Sequence, residues 1–344
     1  MLTNFLNLWI LARVAQAAVA ALLCVLGVVL GLRIVMRWQG GQSSEQQLAL
    51  ERQAELVASV MQAVLIFEVL GLGLSVLVAD HLVGGIRGAM CAFGVLASTR
   101  TGYYSLLTSI LTAVACAQWV ILHRLDLLAP APALTRRKFL WLAAVGPLAA
   151  ADLALVIAFA YELDFKVIAS CCSVWIDDSV VKNQAAMLVL SPWWAGGLGL
   201  AATVSGLITS AATWRRPRRA IALVAGGLSA LTPIGALPAV LGVVAPHVLE
   251  TPAHLCPFCL FHAQGDYIGW PLFTAIFVGS VTGMGLAVVE VNRAAIGDPA
   301  PVVEMQKVLG RWSVVGWACA LVCGVAPVVR YWLKSGGVSV FGGL

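Results

Sequence analysis

The residues best equipped for chemistry lie in one stretch, His254-Leu255-Cys256-Pro257-Phe258-Cys259-Leu260-Phe261-His262. Two thiols at CxxC spacing can close a small disulfide, and so take up or release two electrons. Pro257 suits the first turn of a helix, and a thiolate at a helix start gains from the positive end of the dipole. The flanking histidines widen the chemistry. His254, Cys256, Cys259 and His262 offer two sulfurs and two imidazoles, a donor set for copper or zinc. Either imidazole can instead serve as the proton partner of a thiol. Leu260 stands where a CxxCH attachment sequence needs histidine, which excludes a c-type haem.

A second sulfur pair is the adjacent Cys171-Cys172, followed by Asp177 and Asp178. A disulfide between neighbours demands a tight ring. These cysteines are therefore expected to act separately, each with a distant partner, or to hold a soft metal together. A structural bridge from one of them to Cys256 or Cys259 is the plain alternative. Met90-Cys91 offers a further thioether and thiol, or simply packs a short apolar helix. Cys24, Cys116, Cys319 and Cys323 lie in apolar runs and read as small packing residues.

Two acids complete the inventory. Glu68 and Asp152 fall near the centres of apolar runs, where a charged side chain costs at least ~2.5–3.5 kcal/mol on insertion scales. They read as a proton or ion relay, or as neutral partners in hydrogen bonds between helices. No Lys or Arg is expected at matching depth to neutralise them.

The elements that must hold these groups follow from composition. Hydrophobic residues make up 61% of the 344, charged residues 11%, whereas soluble domains carry about 25% charged residues. The chain is therefore an all-α polytopic bundle, read as a single integral-membrane domain over residues 1–344. A span needs about 20 mainly apolar residues. Eight stretches qualify, at 9–32, 56–79, 102–122, 139–160, 188–212, 220–245, 268–289 and 312–330. Segment 82–99 is apolar but short and glycine-rich, which fits a re-entrant or interfacial piece. Polar residues 37–55 are expected to form a short helix running into the second span. Pro233 and Pro238 each remove a backbone donor, so a kink is expected in the sixth span. Residues 1–12 carry no positive charge and the apolar run continues far beyond the ~7–15 residues of a signal-peptide core, so the N-terminus reads as the first spanning helix.

Alternating the connections places Arg136-Arg137-Lys138 and Arg215-Arg216-Pro217-Arg218-Arg219 on one side, with most of the Lys and Arg. By the positive-inside rule that side is cytoplasmic and both termini lie outside. Connections 80–101, 161–187 and 246–267 are then external, in a bacterium periplasmic, and Arg13 counts with the external set. Trp175, Trp193, Trp194, Tyr267 and Trp270 border the external interface, as an aromatic belt or as a stacking surface for a quinone ring. Lipid is the expected partner. Basic and aromatic residues are not interleaved as nucleic-acid binding requires.

At the level of these motifs the chain resembles two families of membrane disulfide-forming quinone reductases, the bacterial disulfide-bond formation protein B and the vitamin K epoxide reductase type. The resemblance implies that Cys256 and Cys259 are the pair oxidised by quinone. It implies that Cys171 and Cys172 are the loop pair that receives electrons from a periplasmic thiol protein. Those families have about half as many spans, and their loop cysteines are not adjacent. The adjacent cysteines also look like those of membrane mercury-uptake proteins, which would make Cys171, Cys172, Cys256, Cys259, His254 and His262 a soft-metal capture set served by a metallochaperone. The leading expectation is a membrane thiol–disulfide oxidoreductase. The alternatives are a copper, zinc or mercury binding or transport protein, and a structural subunit whose cysteines are staples.

Overall fold

The computed structural model describes residues 2–38, 44–130, 133–166, 191–252 and 254–342. Among them are eight helices long and apolar enough to cross a membrane, and each contains or overlaps one of the eight expected spans. The fold is all-α, as composition dictates. The helices outrun the apolar stretches, and at the second helix a side-chain cap marks the start. Ser44 shows this: its hydroxyl accepts from the backbone N–H of Gln47 at 3.2 Å, and the second helix begins at Glu45, well before its apolar core.

Two compact units are present. The first comprises Met1–Ser170 with Asn292–Pro301. Its long helices are α1 (Leu8–Arg37), α2 (Glu45–His81), α4 (Gly102–Leu128) and α5 (Thr135–Glu162). Helix α1 packs on α2 and α5, and α4 packs on the same two. Cys24, Ile34, Val57, Met61, Trp119, Phe139 and Leu142 are buried together between them. The side-chain amide of Asn4 donates to the carbonyls of Ala160 and Leu163 at 3.1 and 2.6 Å. It thereby satisfies two acceptors that the end of α5 leaves without helical partners.

Segment 82–99 resolves into a 3₁₀ turn (Leu82–Gly85) and a six-residue helix, α3 (Ala92–Ala97), resting on α2 and α4. At ~1.5 Å per residue α3 is about 9 Å long, far too short to cross a bilayer.

The second unit comprises Cys171–Val291 with Val302–Leu344. It contains α6 (Pro192–Arg215), α7 (Arg219–Ala239), α8 (Ala245–Val248), α9 (Gly269–Val291) and most of α11 (Pro299–Lys334). The short α10 (Arg293–Ile296) belongs to the first unit. Helix α7 packs on both α6 and α9. Trp317 of α11 is fully buried, with Gly279 of α9 and Gly206 of α6 against its indole. Pro233 and Pro238 both lie inside α7, and a π-helical turn, Val240–Val244, begins two residues after Pro238. That turn joins α7 to α8 without ending the span.

Candidate functional site

The CxxC stretch lies in the connection between α8 and α9. It is not the start of a long helix. Pro257 caps a four-residue 3₁₀ helix, Phe258–Phe261, and α9 begins only at Gly269. So short a helix carries little macrodipole, and the expected help from a helix start is largely absent. What fixes the loop is packing. Leu260 is fully buried in a cluster with Val240, Val244, Ala245 and Leu272. Phe261 meets Trp270 edge-on at 4.9 Å and stacks on Phe273 at 5.4 Å. The chain then folds back so tightly that a Cβ on Gly265 would lie 2.6 Å from the carbonyl oxygen of Cys259. Only glycine fits there. The left-handed residues Asp266 (φ 52°) and Tyr267 (φ 54°) complete the reversal.

Both cysteines are buried, Cys256 at 0% and Cys259 at 3% exposure. Their sulfurs lie within 4.8 Å of one another. The Nε2 atom of His254 is 3.2 Å from Sγ of Cys259, so the second cysteine of the motif carries an imidazole contact. His254 also lines an open cleft of about 310 Å³ together with Glu250, Gln264, Asp266 and Arg330. Arg330 is ion-paired with Asp266, and Lys334 with Glu250, so α11 holds the rim of the cleft. The imidazole thus stands between a polar cleft and a buried sulfur. His262 is half-buried on the far side of the 3₁₀ helix in sequence. Its backbone N–H donates to the carbonyl of Cys259 at 3.4 Å, and its own carbonyl accepts from Tyr267 at 3.1 Å. These backbone bonds tie the loop together.

Cys171 and Cys172 lie outside the described residues, as does Trp175. Cys91 immediately precedes α3 in the first unit.

The intramembrane acids Glu68 and Asp152 are each 1% exposed. The expectation that no Lys or Arg reaches their depth is wrong. Arg13 is itself buried in α1, and its Nη2 lies 3.3 Å from Oδ2 of Asp152. The same guanidinium donates to Ser75 at 2.7 Å and to Ser109 at 2.6 Å, and it is hydrogen-bonded to Gln16. The physical reason is the register of α1. Arg13 sits five residues into the helix, roughly 8 Å along its axis, and Asp152 stands about 15 Å from the end of α5. The long arginine side chain covers the difference. Asp152 also receives Ser109 at 2.5 Å and Thr108 at 3.2 Å on Oδ1. Glu68, on α2, has Asp152 and Arg13 as electrostatic neighbours, yet its buried Oε2 has no hydrogen-bond partner. Cys116 and Cys24 are buried in one cluster of the same unit. An arginine inside an apolar run was the signal in the sequence, and counting it with a loop concealed it.

A second buried ion pair lies near the other end of the α4–α5 hairpin. Lys138 Nζ is 2.5 Å from Asp126 Oδ2 and 3.4 Å from Nδ1 of His123. The backbone N–H of Leu134 donates to Asp126 Oδ1 at 2.8 Å, and Trp119 stacks on His123 with ring centroids 5.4 Å apart. This arrangement ties the end of α4 to the start of α5.

Comparison of the chain with family models, with curated proteins and with solved structures finds no match to any of them.

Proposed function

We propose that the protein is a membrane thiol–disulfide oxidoreductase working through Cys256 and Cys259. The observation that carries this reading is the contact between His254 and Cys259, with the sulfur of Cys256 within 4.8 Å of that of Cys259. An imidazole at 3.2 Å can take the thiol proton and leave the thiolate, which is the attacking species. The cleft lined by His254 gives that proton a way out.

The chemistry balances as two exchanges. A disulfide between Cys256 and Cys259 is attacked by a thiolate of a periplasmic thiol protein or small thiol, giving a mixed disulfide on one sulfur. A second thiolate, from the same protein or from a second small thiol molecule, resolves it, so the donor thiols leave as a disulfide and both cysteines become thiols. A membrane quinone then accepts two electrons and two protons from the pair, becoming quinol and restoring the disulfide. Phe261, Trp270 and Phe273 form an aromatic wall beside the loop against which a flat ring can lie. Cys171 and Cys172 are assigned, on sequence grounds, to relay between the external thiol and this pair. The setting of the proposal is the cytoplasmic membrane of a bacterium, with these connections in the periplasm.

The soft-metal reading keeps one specific support: His254 Nε2 and the sulfurs of Cys256 and Cys259 form a nitrogen–sulfur donor set of the kind copper and zinc prefer. One experiment separates the two. Membranes carrying the full chain are treated with thiol or with oxidised quinone, quenched with a maleimide of added mass, and resolved on gels; metal content of the purified protein is measured in parallel. The redox reading requires a quinone-dependent loss of two modifiable thiols that disappears in Cys256→Ala and Cys259→Ala. Stoichiometric copper or zinc lost in the same variants, with no thiol change, would replace it by the metal reading.

A further inference from the structure

We propose that Arg13, Asp152 and Glu68 form a single-proton binding site inside the first unit, in which one proton is shared between two carboxyls around one fixed cation. This goes beyond the thiol chemistry and does not depend on it. The site is built from three helices: Arg13 from α1, Glu68 from α2 and Asp152 from α5. All three side chains belong to residues no more than 5% exposed. The titratable groups facing it are few. Cys116 of α4 lies in electrostatic range of Glu68 and of Cys24 of α1; the other polar neighbours named among the described residues, Ser75, Ser109, Thr108 and Gln16, do not titrate.

Charge balance then sets the proton count. With both carboxyls ionised the site is net negative, and with both protonated the guanidinium is left uncompensated. With one proton bound the site is neutral, the state the bilayer interior favours. The hydrogen bonds say which acid holds it. Asp152 accepts on both oxygens, from Arg13, Ser109 and Thr108, an environment that suits a carboxylate. Glu68 has a buried oxygen with no partner among the described residues, which suits a neutral acid. The two acids are coupled through Arg13. Remove the charge on Asp152 and the guanidinium has only Glu68 to pair with.

The test is infrared spectroscopy of the full-length protein in lipid nanodiscs at neutral pH, reading the carbonyl stretch of protonated carboxyl groups. Wild type is expected to show a band that Glu68→Gln removes. Asp152→Asn is expected to remove the same band although Glu68 is intact, because Glu68 ionises against Arg13. Arg13→Gln is expected to roughly double it, since both acids then bind protons. The Arg13→Gln/Asp152→Asn variant, which leaves no charge beside Glu68, is expected to restore a single band. That restoration also shows that the loss in Asp152→Asn is not misfolding. A Glu68 band that persists in Asp152→Asn, or its absence from wild type, overturns the shared-proton site.

Discussion

His254 Nε2 and Cys259 Sγ are 3.2 Å apart, and the imidazole that makes this contact also faces an open polar cleft. The histidine can therefore exchange protons with solvent on behalf of a sulfur that solvent hardly touches. Replacing it should slow formation of the thiolate without disturbing the packing of Leu260. His254→Ala is expected to lower the alkylation rate of Cys259 by small iodoacetamide at neutral pH on the order of ten-fold. His262→Ala, which leaves this contact in place, is expected to have a much smaller effect. The measurement is mass-spectrometric labelling of the purified protein over time.

The two sulfurs of the motif are expected to protect one another. After mild oxidation, Cys259 of the wild-type protein becomes inert to alkylation and recovers with a dithiol reductant. In Cys256→Ala it stays reactive throughout, because the partner needed to close the ring is gone. Protection that persists in Cys256→Ala would assign Cys259 a different partner.

Packing in the second unit makes a sharper demand on glycine than any sequence motif announces. A Cβ on Gly316 would lie 2.4 Å from the backbone nitrogen of Gly279, so α9 and α11 touch backbone to backbone. Small residues allow such approaches between membrane helices. Gly316→Val is expected to destabilise the protein by more than about 1–3 kcal/mol, the ordinary cost of overpacking, and to lower its yield. Gly227→Ala, where a Cβ meets nothing within 4 Å, is expected to leave thermal unfolding in detergent nearly unchanged.

The Lys138–Asp126 pair gives an electrostatic test in the first unit. Both side chains are almost wholly buried, at 6% and 2% exposure. Asp126→Ala strands a buried ammonium and is expected to cost roughly 3–5 kcal/mol. The double variant Asp126→Leu with Lys138→Met removes both charges and is expected to recover much of that loss. Unfolding in graded denaturing detergent, followed by circular dichroism, compares the two.

The span count was legible because it depends on a one-dimensional property, the length of apolar runs, and eight such runs became eight long helices. Helix ends were less legible because a cap such as Ser44 acts through a single hydrogen bond. The short spacing from His254 to Cys259 was visible as a motif, yet the approach of the imidazole to Cys259 depends on the 3₁₀ turn at Phe258–Phe261. Arg13 stands out in the sequence as a charge inside an apolar run, but its pairing with Asp152 does not. These residues are 139 positions apart, and they meet only through the rotation and register of α1 against α5, which hydropathy does not encode. The cleft rim is hidden in the sequence for the same reason, since Asp266 and Arg330 are brought together by the fold alone.

The π turn at Val240–Val244 sets a phase for everything after it. Such a turn holds one residue more than an α-helical turn, and one residue is worth about 100° of rotation around the axis. Beyond it, His247 points where its Nδ1 meets the carbonyl of Val243 at 2.7 Å and its ring lies edge-on to Tyr331 and Phe341. Loss of one residue from Val240–Val244 would swing that imidazole a quarter turn or more away from both rings while keeping the span long enough for the bilayer. The extra residue therefore works as an angular setting: it decides which way the end of the sixth span looks, and with it the direction from which the CxxC loop departs.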